Sequence, residues 1–365
     1  MANSASGVRQ DKTRRVVAEL ETTVGTPVLN PGSPTGSELE FPARADSRLA
    51  VGDGDAISNS DALDGLAGEV ASTRGAIGRA GTLVTEIRDY SGQDPFPPFI
   101  KQLLASGMEA THSTPNITLT PSTKAITNWP GNTAGDRSPA SMTIVEVLVD
   151  NNTADELTAT AGAVLKTKLI LGTNGLMQVS SEIVGLVVND TLLAVSDTDL
   201  SGFGAVPANQ GASPIVMKGA TWTINYVDSS GSTALSVARP KALEIEFNAN
   251  IVRIEDPTAT DGYATAAVFW DEAPTVTIEF ADAASLAEDI MAGFYTQTGF
   301  LDINVSIDTN TASSRTLTVD VPRIQYDAER TNGDGARMFS ISGRAVREKN
   351  GDTTAPLTIV WDYGT

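Results

Sequence analysis

Carboxylates are the only abundant reactive side chains in this sequence, and several stand two residues apart: Asp53/Asp55, Asp197/Asp199 and Glu244/Glu246. Such pairs can ligate a divalent cation or divide acid and base work between them. Their settings favour plainer roles. Glu244 and Glu246 alternate with apolar residues, so on a strand they share its polar face and read as a solvated acidic stripe. Asp53 and Asp55, in Gly52-Asp53-Gly54-Asp55, lack the remaining ligands of a calcium loop and read as turn residues. His112, the single histidine, has no Gly-x-Ser-x-Gly elbow to serve and reads as a surface or C-cap residue. The absence of cysteine excludes disulfides, thiolate zinc sites, iron–sulfur clusters and cysteine nucleophiles. No Gly-Lys-Ser/Thr phosphate loop and no dinucleotide fingerprint occur. The expectation is no catalytic residue, no cofactor and no metal.

The chain has 365 residues, with 25 Lys+Arg against 45 Asp+Glu, a net charge of −20. A polyanion is bound by cations that release its counterions, so this balance argues against affinity for a DNA backbone. With 41% hydrophobic residues the chain can bury a core, and its length fits two domains better than one. The polar start Met1-Ala2-Asn3-Ser4 resembles no export signal, and no window reaches the ~20 apolar residues of a membrane span. The absence of cysteine fits assembly in a reducing cytoplasm.

Most of the remaining pattern has period two. Leu243, Ile245, Phe247, Ala249 and Ile251 alternate with Glu244, Glu246, Asn248 and Asn250, which reads as one strand. Val276, Ile278 and Phe280 alternate around Thr277 and Glu279; Leu301, Ile303, Val305 and Ile307 alternate with Asp302, Asn304, Ser306 and Asp308. Leu83 to Ile87, Ile117 to Leu119, Met142 to Val149, Leu165 to Leu171, Trp222 to Tyr226 and Leu317 to Val321 behave alike. Asn174-Gly175, Asn332-Gly333 and Asn350-Gly351 tolerate the positive φ of tight hairpins. The fold class is mainly β and antiparallel.

Two short helices are expected. One opens at Pro97-Pro98 and ends at Gly107; the other opens with the capping box of Ser285 and Glu288 and ends near Gly293. Each follows a strand of similar texture, Gly81 to Ile87 and Pro274 to Phe280. That repetition favours a tandem of two β domains, residues 1–210 with an N-terminal arm and long loops and residues 211–365, meeting near the linker Gly202 to Pro214. A single large sandwich with two helices is the other reading. The loop-like tracts Pro27 to Gly36 and Val51 to Gly78 are long enough to fold against a neighbouring subunit. Arg9, Lys12, Arg14 and Arg15, just before Val16 and Val17, form a basic cluster on an acidic chain, suited to docking on another copy.

Val17-Ala18-Glu19-Leu20-Glu21-Thr22-Thr23-Val24-Gly25-Thr26-Pro27-Val28 resembles the opening of bacteriophage tail tube proteins. Ala161 to Leu169 with Gly175 and Val179 to Gly185 is similar to that family's small-residue strand and hairpin. Leu317 to Gln325, Met338 to Val346 and Leu357 to Trp361 resemble its closing strands. The chain is longer than a minimal tube subunit, which a duplication or a decorating insertion would explain.

The resemblance implies tail-tube-type β-sandwich domains whose inner strands join those of neighbouring copies into a barrel. The rings would stack into a virion tail made in the host cytoplasm. Two domains per chain imply trimeric rings with pseudo-six-fold symmetry; one domain implies hexamers. The implied partners are the chain itself and the tape-measure, tail terminator and distal tail or baseplate proteins. DNA would pass without specific binding, and no membrane is involved. On this reading Glu244, Glu246, Glu279, Asp302 and Asp308 are the lumen candidates, repelling phosphates over the ~8 Å Debye length. Arg14, Arg15, Val16 and Val17 are the assembly-arm candidates. Two other readings are a different virion β protein, such as a capsid decoration or baseplate component, and a carbohydrate-active or metal-dependent β enzyme using paired acids.

Overall fold

A computed structural model of the chain describes residues 14–22, 28, 40–44, 47–49, 53–54, 77–89, 96–122, 139–150, 153–172, 176–191, 214–217, 219–228, 231–235, 240–247, 249–255, 263–270, 273–281, 299–308, 315–332, 337–347 and 354–364. The second expected helix, the linker before Pro214, Asn174-Gly175, Asn350-Gly351, Asp197/Asp199, Arg9, Lys12 and most of the two loop-like tracts lie outside these.

In chain order the strands are β1 (Arg14–Leu20), β2 (Glu40–Phe41), β3 (Arg48–Leu49), β4 (Asp53–Gly54) and β5 (Ile77–Glu86). After helix α1 (Pro98–Ala105) come β6 (Met108–Ser113), β7 (Asn116–Pro121), β8 (Met142–Asp150), β9 (Thr153–Gly172) and β10 (Gln178–Thr191). Then follow β11 (Thr221–Asp228), β12 (Gly231–Ala234), β13 (Pro240–Glu246), β14 (Ala249–Glu255) and β15 (Tyr263–Trp270). The last are β16 (Thr275–Ala281), β17 (Phe300–Asp308), β18 (Thr316–Asn332), β19 (Arg337–Ala345) and β20 (Thr358–Asp362). All but β14 and β15 belong to one antiparallel sheet; those two form a separate hairpin.

The alternation does what period two dictates. Along β17, Leu301, Ile303, Val305 and Ile307 are buried while their neighbours are not, and β20 behaves the same way. These side chains join one core that includes Leu83, Ile100, Leu169, Ile245 and Trp361, each contributing roughly 1.5–3 kcal/mol by leaving water. Helix α1 starts at Pro98, whose missing N–H is no loss there, and stops at Ser106 and Gly107, the latter at φ 93°. All its residues are buried, and Phe99 meets Trp361 edge-on at 5.5 Å between ring centroids. Buried Lys101 is matched by Glu19, with Nζ donating to Oε2 at 2.8 Å.

One expected strand is two. β13 ends at Glu246, and the run resumes as β14 in the separate hairpin. Period two continues across the break, so nothing in the alternation marks it. Phe247, which is buried, still keeps the β9 register, donating its N–H to the Thr167 carbonyl at 2.9 Å before the chain turns off into β14.

Strand order repeats within the chain. β5–β10–β9–β8–β1 are neighbours in that order, and so are β16–β19–β18–β17–β11. In sequence the two sets also run alike: β1, β5, β8, β9, β10 against β11, β16, β17, β18, β19. They even share an irregularity. Met142↔Ala163 is followed by Ile144↔Thr160, and Leu301↔Ile324 by Ile303↔Val321, two residues on one strand against three on the other. Bulges re-aim a strand and persist where the bend matters. The two halves are not separate sheets, since β13 pairs with β9 and β20 pairs with β7.

Candidate assembly and channel surface

The residues expected to do the work fall in three places. Glu244, Glu246 and Glu279 occupy the polar face of β13 and β16. They are not a bare acidic stripe. Lys168 Nζ forms a close ion pair with Glu244 Oε2, Lys166 Nζ lies 3.7 Å from Glu246, and Lys241 Nζ lies 3.8 Å from Glu279. The pairing of β13 with β9 sets two of these contacts, placing Glu246 opposite Lys168 and Glu244 opposite Ile170. All six side chains are more than one-third exposed, so each pair adds little stability, about 0–1 kcal/mol. Their effect is on the surface: every one of these lysines already has a carboxylate.

Asp302 and Asp308 lie elsewhere, on β17, which pairs with β11 and β18. The five acids therefore do not form one stripe. Asp302 accepts a hydrogen bond from Asn225 Nδ2 at 3.0 Å, while Asp320 accepts one from Asn304 at 2.9 Å. Burial raises the pKa of Asp302, the Asn225 hydrogen bond opposes that shift, and the charge on Asp320 adds to it. A folded pKa above the unfolded one means that the folded state holds the proton more tightly. Stability gained from this group thus rises as pH falls through the raised pKa towards 3.8. Asp302→Asn keeps an acceptor for Asn225 and removes the repulsion. Urea unfolding at neutral pH should show it more stable by some tenths of a kcal/mol, a half-exposed group's share, with the advantage disappearing near pH 4.

Arg14, Arg15, Val16 and Val17 sit in β1, paired in register with Leu148, Val147, Glu146 and Val145 of β8. Val16 and Val17 are each 1% exposed. Their backbone and two valines are thus engaged within the chain's own sheet. The apolar run Val16-Val17-Ala18, buried on both faces, fits that place as well as it fits a docking arm. His112 is likewise not a C-cap: it stands on β6, with Nε2 2.8 Å from the Tyr363 hydroxyl and its ring stacked on Tyr363. Among the described residues no group of three or more His, Asp or Glu is arranged to hold a metal ion. No helix among them is long and apolar enough to cross a membrane.

Two polar clusters escaped the sequence reading. Glu21, 1% exposed, accepts hydrogen bonds from Ser141 Oγ (2.5 Å), Thr143 Oγ1 (2.9 Å) and the Gly162 N–H (2.8 Å). Gly162, at φ 58°, lies in the bulge between β8 and β9. Asp89, after β5, pairs with Arg315, before β18, at 2.5 Å, with both side chains largely buried. Arg315 also donates from Nε to the Tyr363 carbonyl at 2.9 Å. Neither Glu21 nor Asp89 carries a spacing signal, because their partners are distant in sequence. No protein-family model matches the chain, and no curated protein matches it.

Proposed function

We propose that the chain is a structural subunit of a bacteriophage tail tube, built of two tube-type β domains in tandem that assemble with other copies into stacked rings. The observation that carries this reading is the repeated strand order with its shared bulge, together with the way the repeats meet: β13 of the second lies along β9 of the first. A junction that adds one repeat to the next by strand pairing can be extended by further copies, and closing the series removes the exposed edges. The resemblance of the opening and closing strands to tail tube proteins supplies the kind of assembly. Three chains, six repeats, complete the ring.

The paired lysines fit a channel that DNA crosses without sticking. A lysine that grips a phosphate must first leave its carboxylate, so Lys166, Lys168 and Lys241 contribute little to binding while Glu246, Glu244 and Glu279 are present. Replacing Glu244 and Glu246 together by Gln frees two cations. Assembled protein carrying both substitutions should retain duplex DNA in a sedimentation assay at low salt where the parent does not, with a salt slope steeper by about 2. Equal, negligible retention by both would remove the lysine pairs from the explanation.

Electron microscopy of purified protein tests the reading as a whole. Rings or tubes with an axial channel are expected at high concentration; a chain that stays monomeric under all assembly conditions overturns it.

A further inference from the structure

The junction between the two repeats is also a template for the junction between two molecules. β13 has a partner on each side: β16 of its own repeat and β9 of the preceding one. On β9 it takes the edge used by β8, further along the strand: Met142 of β8 pairs with Ala163, and β13 pairs with Lys168–Gly172.

The second repeat offers the same edge. β17 pairs with β18 as far as Ile324, and at Ile324 β19 pairs from the opposite side. Beyond it, among the described residues, no strand lies along the β17 side of Asp327–Asn332. The matching bulges place Ala163 level with Ile324, so Leu169 and Ile170 correspond to Arg330 and Thr331.

The first repeat holds the counterpart of β13. β3 pairs with β5 through Arg48↔Thr82 and Leu49↔Gly81, as β13 pairs with β16 through Glu244↔Thr277 and Ile245↔Val276. Each uses the edge of its partner turned away from β10 or β19. β3 is fastened there by Ser47, whose hydroxyl donates to the Val84 carbonyl at 3.0 Å and accepts the Val84 N–H at 2.9 Å. Its other edge has no strand partner among the described residues.

We infer that β3 of one copy pairs antiparallel with the outer edge of β18 in the next, Arg48 opposite Thr331 and Leu49 opposite Arg330, the register that β13 keeps on β9. The contact is head-to-tail: the two surfaces are different, so each copy offers one and receives the other, and a ring or filament follows. Pairing satisfies backbone groups on two edges that have no strand partner among the described residues. The inference rests on the tube reading and adds to it which strands form the seam.

Because the chain has no cysteine, introduced thiols report the seam without background. Directly opposed residues of an antiparallel pair have Cα atoms about 4.5–5.5 Å apart, within disulfide range. Assembled mixtures of Arg48→Cys and Thr331→Cys chains should give a disulfide-linked dimer on oxidation, on the order of tenfold more than either variant alone. The double variant should give a ladder ending at the ring. A mixture of Glu109→Cys, on β6, with Thr331→Cys is the control and should give none. In the unsubstituted chain, every second amide of β3 and of Asp327–Asn332, those turned away from β5 and β19, should gain hydrogen-exchange protection on assembly.

Rings or tubes in the microscope without the Arg48–Thr331 crosslink and without that protection would overturn the seam and leave the tube reading standing. Crosslinking of Arg48→Cys chains to one another as readily as to Thr331→Cys chains would also overturn it, since that requires a two-fold contact. A chain that never assembles overturns both.

Discussion

Arg315→Met is expected to lower the unfolding free energy by about 3–5 kcal/mol, because it strands the carboxylate of Asp89 in a site where its side chain is 4% exposed. The loss has two parts. The ion pair at 2.5 Å disappears, and so does the hydrogen bond from Arg315 Nε to the Tyr363 carbonyl. Asp89 follows β5 and Arg315 immediately precedes β18, so the pair joins the first half of the chain to the second. Urea unfolding followed by intrinsic fluorescence measures the effect. Asp89→Leu combined with Arg315→Met should recover much of the loss, since two apolar groups leave no buried charge behind. A single-variant loss below about 1 kcal/mol would show that water reaches Asp89.

Glu21→Ala is expected to cost a similar amount, about 3–5 kcal/mol, by a different route. Three donors, Ser141 Oγ, Thr143 Oγ1 and the Gly162 N–H, converge on one buried carboxylate. Hydrogen bonds to a charged group are worth roughly 1.5–3 kcal/mol each, and the donors left behind stay buried. Glu21→Gln can keep its oxygen on Thr143 Oγ1 and the Gly162 N–H and turn its NH2 to the Ser141 hydroxyl, but it gives up the charge, and should lose about half as much. Differential scanning calorimetry of the unassembled chain orders the three proteins. Amide exchange at Gly162 should quicken in both variants, locating the damage at the bulge. The second repeat meets the same bend with different chemistry: Pro322 brings no N–H to its bulge, and the Arg323 guanidinium lies 4.0 Å over the Phe300 ring.

The faces of the strands were readable before the structure. Leu301, Ile303, Val305 and Ile307 are buried, Asp302 and Asn304 are not, and α1 spans the segment between its prolines and Gly107. The texture shared by Gly81 to Ile87 and Pro274 to Phe280 also pointed at β5 and β16, the strands that hold matching places in the repeated order. Partners were not readable. The break at Phe247, the placing of Lys168 against Glu244, and the taking of Val16 and Val17 into the sheet all depend on which strand lies alongside.

The sequence by itself determined the mainly β class, the inward and outward sides of strands such as β13, β17 and β20, and the excess of 45 acids over 25 bases. Only the tertiary structure decided that the acids of β13 and β16 are held by lysines and that one repeat continues the other. The reason is physical. A side chain's polarity fixes the face on which it sits, whereas edges are joined by N–H and C=O groups common to almost every residue. Those groups carry no record of their partner, so the choice is made by the packing of distant segments into one core.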